Sequence, residues 1–280
     1  MPHSQYTWNA EGFQAMSREA ALAAEHIAIG VSALSEANYG QKAHYYQAFF
    51  DISIGFERTC KLALILDYAI TSGGNLPSQN IIRNYGHKLD DLIKKVDAIS
   101  ARYNLSISNA HISKDQITRN IIKVLTDFAD NNTRYYNLDF LTSSTKSTND
   151  SISSWYNKVT KPILAIYYKK RYKSNAEKTA WLIGKADAIA LVRYSSESSN
   201  PITSLYDGSL HLAETDFANA YARMYIMRVA RFLSYVISEL SKNAGSTLTN
   251  PVPDFSEFFA IFNNEDKYFR YRKKWSIYKS

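Results

Sequence analysis

The stretch YYQAFFDISIGFERTCKLAL, residues 45–64, places Tyr45, Phe49, Ile52, Phe56, Cys60 and Leu64 at steps of four, three, four, four and four. That spacing keeps returning to one face of a 3.6-residue helix and fits no alternating strand, so it predicts a long amphipathic helix, ended by Gly73-Gly74. Upstream, Glu11 to Asn38 is rich in Ala, Glu, Leu, Met and Gln, whose side chains lose little rotamer freedom in a helix. Tyr39-Gly40 stops that first helix. Downstream, Leu89, Leu92, Val96 and Ile99 repeat the pattern over Lys88–Tyr103, after a loop holding Pro77 and Gly86.

Further along, Ser113-Lys-Asp-Gln116 reads as a capping box, so a fourth helix starts near Lys114 and runs to about Asp130. Thr142–Ser154 is polar and predicts a loop. Trp155–Tyr172 reads as a helix kinked or restarted at Pro162, and Ser174-Asn-Ala-Glu177 as a second capping box opening a helix to about Tyr194. Turn signals at Ser195-Ser196, Asn200-Pro201 and Asp207-Gly208 leave room for short strands in 194–212. Apolar residues surround much of Glu214–Lys242, as expected of a central helix. After Pro251 and Pro253, Phe255, Phe258, Phe259 and Phe262 give a short helix one aromatic face. These readings predict an all-α multi-helix bundle of about seven to nine helices. It divides into a bundle at 1–245 and an aromatic, basic helical extension at 251–280.

The composition excludes several classes. Ten Gly and six Pro in 280 residues, with 45% hydrophobic and 14% aromatic residues, are incompatible with a collagen-like or disordered chain. The single cysteine forms no internal disulfide, and its place on the apolar stripe makes it a packing residue. No apolar run approaches the ~18 residues a membrane span needs, and the first residues lack the pattern of a secretion signal, so a cytoplasmic protein without membrane partners is expected. The nucleotide and metal signatures GxGxxG, GxxxxGK, HExxH and CxxC are missing, and the six histidines include no pair at a helical ligand spacing. Neither a metal nor a cofactor is called for.

Three short constellations remain. Glu57 and Lys61 lie four apart in the favourable helix orientation, which an ordinary ion pair explains. His87 follows Tyr85-Gly86 at the start of a helix, where an imidazole commonly makes a structural hydrogen bond. Arg134 precedes Tyr135-Tyr136; a guanidinium there packs on the surface or grips a phosphate. In this order, Glu57-Arg-Thr-Cys-Lys61, Gly86-His87-Lys88-Leu89-Asp90-Asp91-Leu92 and Asn132-Thr133-Arg134-Tyr135 resemble the HEPN superfamily of small helical bundles. The resemblance covers about residues 41–141, extending to 242 on its widest reading.

The resemblance implies a bundle that dimerises. In many members it cleaves RNA in toxin–antitoxin, antiphage defence or RNA-processing systems, while other members are inactive or bind nucleotides or protein partners. The ribonuclease members carry an Arg, about four to six residues, then a His, which polarise a phosphate and move protons. Here Arg83 and His87 have three residues between them, so a metal-independent endoribonuclease with an atypical or degenerate site is implied at most. These two are the candidate catalytic residues, facing one phosphate if the turn through Gly86 is helical. Arg134 and Tyr135 are candidate nucleotide contacts.

Two basic, aromatic-laced stretches point independently to a polyanion. Lys158, Lys161, Lys169, Lys170, Arg171 and Lys173 occur without one acid among Tyr167, Tyr168 and Tyr172, and Lys267–Trp275 repeats the chemistry. Cations release counterions from a phosphate backbone and aromatic faces stack on bases. The net charge of +7 agrees. The competing reading is a solvated helix face and a tail pinned by its aromatics, within a non-catalytic module acting through a homodimer or a protein partner.

Overall fold

Leu34, Ala48, Phe49 and Phe56 are fully buried where two long helices, α1 (Phe13–Glu36) and α2 (Ala43–Thr71), pack along each other. The computed structural model describes residues 11–105, 111–130, 141, 150–185, 194–248 and 252–277. The close approach of α1 and α2 depends on glycine. A Cβ at Gly30 would lie 2.7 Å from Ile52 Cγ1 and 2.8 Å from Ile52 N, and one at Gly55 would lie 2.9 Å from both Ala23 O and Ile27 N. Each helix thus presses its backbone into a notch in the other, and α2 ends where predicted, at left-handed Gly73 and Gly74 (φ +67° and +96°).

The short α3 (Gln79–Asn84) leads through a loop to α4 (Leu89–Arg102) and α5 (Gln116–Ala129), both packed on α2. The α5 start differs from the capping-box expectation. Asp115 is the cap, accepting from Thr118 N at 2.8 Å, while the Ser113 hydroxyl donates to Asp115 Oδ2 at 2.6 Å. A carboxylate is the stronger acceptor at the positive end of a helix, so it displaces the serine.

Helix α6 (Ser151–Trp155) starts four residues earlier than the expected Trp155, inside the expected loop, because the Asp150 side chain accepts from the amides of Ile152 and Ser153. A π-helical turn (Tyr156–Thr160) follows, continuous with α7 (Lys161–Tyr167); Pro162 has no N–H for the Lys158 carbonyl four residues before it, which accepts from Asn120 Nδ2 at 2.6 Å. The helix predicted to Tyr172 breaks earlier, at Tyr168 (ψ 79°), and α8 (Lys170–Lys185) runs through Ser174 without using it as a cap.

A two-stranded antiparallel hairpin, β1 (Tyr194–Ser195) with β2 (Pro201–Ile202), occupies the expected place for strands. Helix α9 then spans Leu205–Thr247, nine residues earlier in its start than the apolar pattern suggested. Ser204 caps it by accepting from Asp207 N at 3.0 Å, so Asp207-Gly208 is a first turn and not a reversal. Its middle, from Ala222 to Val236, is almost wholly buried, as a central helix requires.

The chain closes with α10 (Phe255–Phe259), a 3₁₀ turn (Ala260–Phe262) and α11 (Asp266–Tyr271). Phe255, Phe259, Phe262 and Phe269 are fully buried in the same core as α1, α2 and α9. Asp266 receives both Arg228 and Arg231, Arg223 donates to Arg270 O at 2.8 Å, and Trp275 N donates to Ser32 Oγ at 2.8 Å. The described residues form an all-α multi-helix protein with eleven α-helical segments; the surplus over the expected count is in short ones such as α3 and α6. None is long and apolar enough to cross a membrane.

Candidate functional site

Arg83 and His87 do not lie on one helix. Helix α3 stops at Asn84, and Gly86 takes the left-handed region (φ +79°), so the two residues are not one helical turn apart on a shared face. Both side chains are exposed and have no hydrogen-bond or ion-pair partner among the described residues. The loop is held by its tyrosine, with Tyr85 OH donating to Leu64 O and Lys95 Nζ to Tyr85 O. Glu57 and Lys61 pair with each other at 2.7 Å, half-buried, the ordinary helix pair. Arg134 and Tyr135 lie outside the described residues. Cys60 is fully buried, and burial followed by the Glu57 charge raises its thiol pKa, so it is a packing residue and not a nucleophile.

The two basic stretches meet. Lys169, Lys170, Arg171, Tyr172 and Lys173 are all exposed where α7 passes into α8. Tyr172 lies 4.8 Å from Phe217, which lies 5.0 Å from Tyr221, its neighbour one turn along α9. Tyr167 stacks on Tyr221 at 4.2 Å and 17°. From the C-terminal segment, the Arg270 guanidinium sits 5.1 Å over the Tyr221 ring and donates to its hydroxyl at 2.9 Å. It also lies 4.7 Å over Tyr271. An aromatic ladder on α9 therefore joins stretches a hundred residues apart in sequence. The tail's Phe269 and Trp275 are buried and pin it, whereas Lys267, Tyr271, Lys273 and Lys274 stay exposed.

Acids border this face. Burial raises the Asp216 pKa against the charges of Lys273 and Arg223, with Glu36 adding to the rise. Arg223 itself, 2% exposed, is pushed down to about 10 by burial and stays charged at neutral pH. Glu214 and Glu177 face Tyr168. The cations of the two stretches outnumber these carboxylates.

A second constellation has no motif to announce it. Glu197, in the hairpin turn, buries its side chain to 1% exposure and meets His211 Nε2, whose side chain keeps 14%. Tyr45 OH donates to Glu197 Oε1 at 3.1 Å, and Thr215 Oγ1 donates to the same oxygen at 3.5 Å. Lys42 Nζ donates to Ser195 Oγ at 3.0 Å, and the His211 ring lies 5.8 Å from each of the Tyr39 and Tyr156 rings. Tyr39 comes this close to α9 because residue 208 is glycine; a Cβ there would stand 2.6 Å from its hydroxyl. Burial alone would raise the Glu197 pKa, but the hydrogen bond and charge of His211, with Tyr45, hold it below the ordinary 4.5. Burial and the Glu197 charge push Tyr45 well above 10, which keeps its hydroxyl a donor. The arrangement clamps the hairpin onto α2 and α9. A helix reaching back to Leu205 was the missing signal, since it puts His211 and Thr215 one turn apart on one face.

Among the described residues, no group of three or more His, Cys, Asp or Glu could hold a metal ion. No protein-family model, curated protein or solved structure matches this chain.

Proposed function

We propose that this is a HEPN-like helical protein that engages RNA or a nucleotide through the basic face on α9. The observation that carries the reading is the meeting of Lys169–Lys173 with Arg270–Lys274 across Phe217 and Tyr221. Cations on two elements, held around a rigid aromatic strip, give a phosphate backbone a track, whereas a merely solvated helix face needs no partner stretch beside it. Arg83 and His87 are left without the helical register that the ribonuclease reading needs, so the proposal is binding, with cleavage in toxin or defence systems only as a family habit.

The test is a salt titration with single-stranded RNA. Replacing Lys169, Lys170 and Arg171 together with Ala is expected to weaken binding and to flatten the log–log salt slope by about 2, since each lost phosphate contact removes ~0.7 on a single strand. A slope and affinity equal to the parent's would remove the electrostatic argument.

A separate observation favours the alternative class, an interaction module working through a homodimer or a protein partner. Trp181, Leu182 and Ile183 are exposed on α8, and the first two line a groove of about 640 Å³ with Ser174, Glu177, Lys178 and Tyr206. On this reading Leu182→Glu abolishes self-association in sedimentation runs and leaves RNA affinity untouched.

A further inference from the structure

The aromatic ladder is not uniform, and its ends differ from its middle. Phe217 and Tyr221 are half-buried, and packing accounts for them; Tyr221 contacts both Tyr167 and Arg270. Tyr172 at one end is 45% exposed and Tyr271 at the other 67%. Rings this open gain little from burial. Each is nonetheless braced: Tyr172 by Phe217 and by a parallel Tyr168 at 6.3 Å, Tyr271 by the Arg270 guanidinium, which also donates to its hydroxyl at 3.0 Å. A braced ring with an open side, set among cations, is the geometry that receives another flat π-system.

We infer that Tyr172 and Tyr271 are stacking platforms for unpaired nucleobases at the two ends of the ladder, with Lys169, Lys170, Lys273 and Lys274 holding the phosphates beside them. This rests on the polyanion reading above and narrows it to a ligand class: single-stranded nucleic acid, because a duplex keeps its base faces within its own stack. Four contacts of 4.7–5.1 Å separate the two rings. The path is therefore at most about 20 Å, a length that about six nucleotides span at the ~3.4 Å stacked rise. Aromatic stacking is tolerant of base identity, so little sequence preference accompanies it.

The experiment measures fluorescence anisotropy of the full chain with three labelled probes of ten units: oligoadenylate RNA, an abasic phosphodiester strand, and a duplex RNA. The parent is expected to bind the oligoadenylate tenfold or more tighter than the abasic strand and tighter than the duplex. Tyr172→Ala and Tyr271→Ala should each weaken oligoadenylate binding by about 5- to 100-fold and leave its salt slope unchanged, while Tyr172→Phe and Tyr271→Phe keep most of the affinity. Both tyrosines are exposed, so the variants fold, which a melting curve checks. Equal affinity for base-bearing and abasic strands, parent-like affinity in both Ala variants, or preference for duplex would overturn the stacking platforms while the backbone track stands. No salt-dependent binding of any probe by the parent would sink the track and the platforms together.

Discussion

Glu197→Ala should lower the melting temperature by about 4–24 °C, because each buried donor left without its acceptor costs about 1–3 kcal/mol, Tyr45 and Thr215 are two such donors, and each kcal/mol moves a chain of this size by roughly 2–4 °C. The carboxylate is the shared acceptor for His211, Tyr45 and Thr215. Removing it takes the acceptor from three polar groups, of which Tyr45 and Thr215 are fully buried. Glu197→Gln keeps an acceptor for Tyr45 but loses the charge opposite His211, so it should fall between parent and Ala. The loss has an acid-side signature. The folded Glu197 pKa lies below its ordinary value of 4.5, so its stabilisation is complete above that value and disappears as pH falls through the folded pKa. The titratable groups facing it are His211 and Tyr45 directly, Tyr39 and Tyr156 around the imidazole, and Lys42 on the hairpin backbone. The Ala variant should lose that acid-side component of its stability profile. A melting temperature equal to the parent's at neutral pH would show that the hairpin is held by other contacts.

Gly55→Ala is the second large effect, and its sign runs against intuition. At an open helical position, Gly→Ala reduces the entropy lost on folding and stabilises by about 0.5–1 kcal/mol. At Gly55 the new methyl would meet Ile27 Cγ1 at 2.5 Å and the α1 backbone atoms Ala23 O and Ile27 N at 2.9 Å. A side-chain tip can rotate away; a helix backbone moves only if the helix moves. The crossing must then open, with loss of dispersion contacts along both helices, and overpacking of this kind costs about 1–3 kcal/mol or more. Gly30→Ala presents the mirrored clash with Ile52 and Ala48 and should behave alike. Because the two glycines sit at one crossing, the double variant should depart from additivity. Gly245→Ala is the internal control, with nothing within 4 Å of its Cβ, and should stabilise slightly. Urea midpoints compare all four variants, and a Gly55→Ala midpoint at or above that of Gly245→Ala would refute the tight crossing.

Periodic features were legible in the sequence and special pairings were not. The stripe from Tyr45 to Leu64 marked α2 because burial of every third or fourth side chain is enforced locally by helix geometry. The capping boxes at Ser113 and Ser174 failed for a related reason: a cap is a competition among nearby acceptors and chain directions, and Asp115 and the earlier break at Tyr168 won it. The Arg83–His87 register depended on one torsion at Gly86, a residue as free to take positive φ as negative. Glu197 carried no signal, since an acid in a serine-rich turn reads as solvated until His211, Thr215 and Tyr45 close over it.

Residue order alone determined that this chain is helical, where its longest apolar faces lie, and that its cations cluster in two aromatic-laced stretches; these follow from short-range sterics and from hydrophobic periodicity, which act within a few residues. Tertiary structure decided that those stretches share the α9 face through Phe217 and Tyr221, that Arg83 and His87 do not share a helix face, and that Glu197 is buried beside His211. Such juxtapositions join residues far apart along the chain, and their geometry is set by how whole helices pack, which no local pattern encodes.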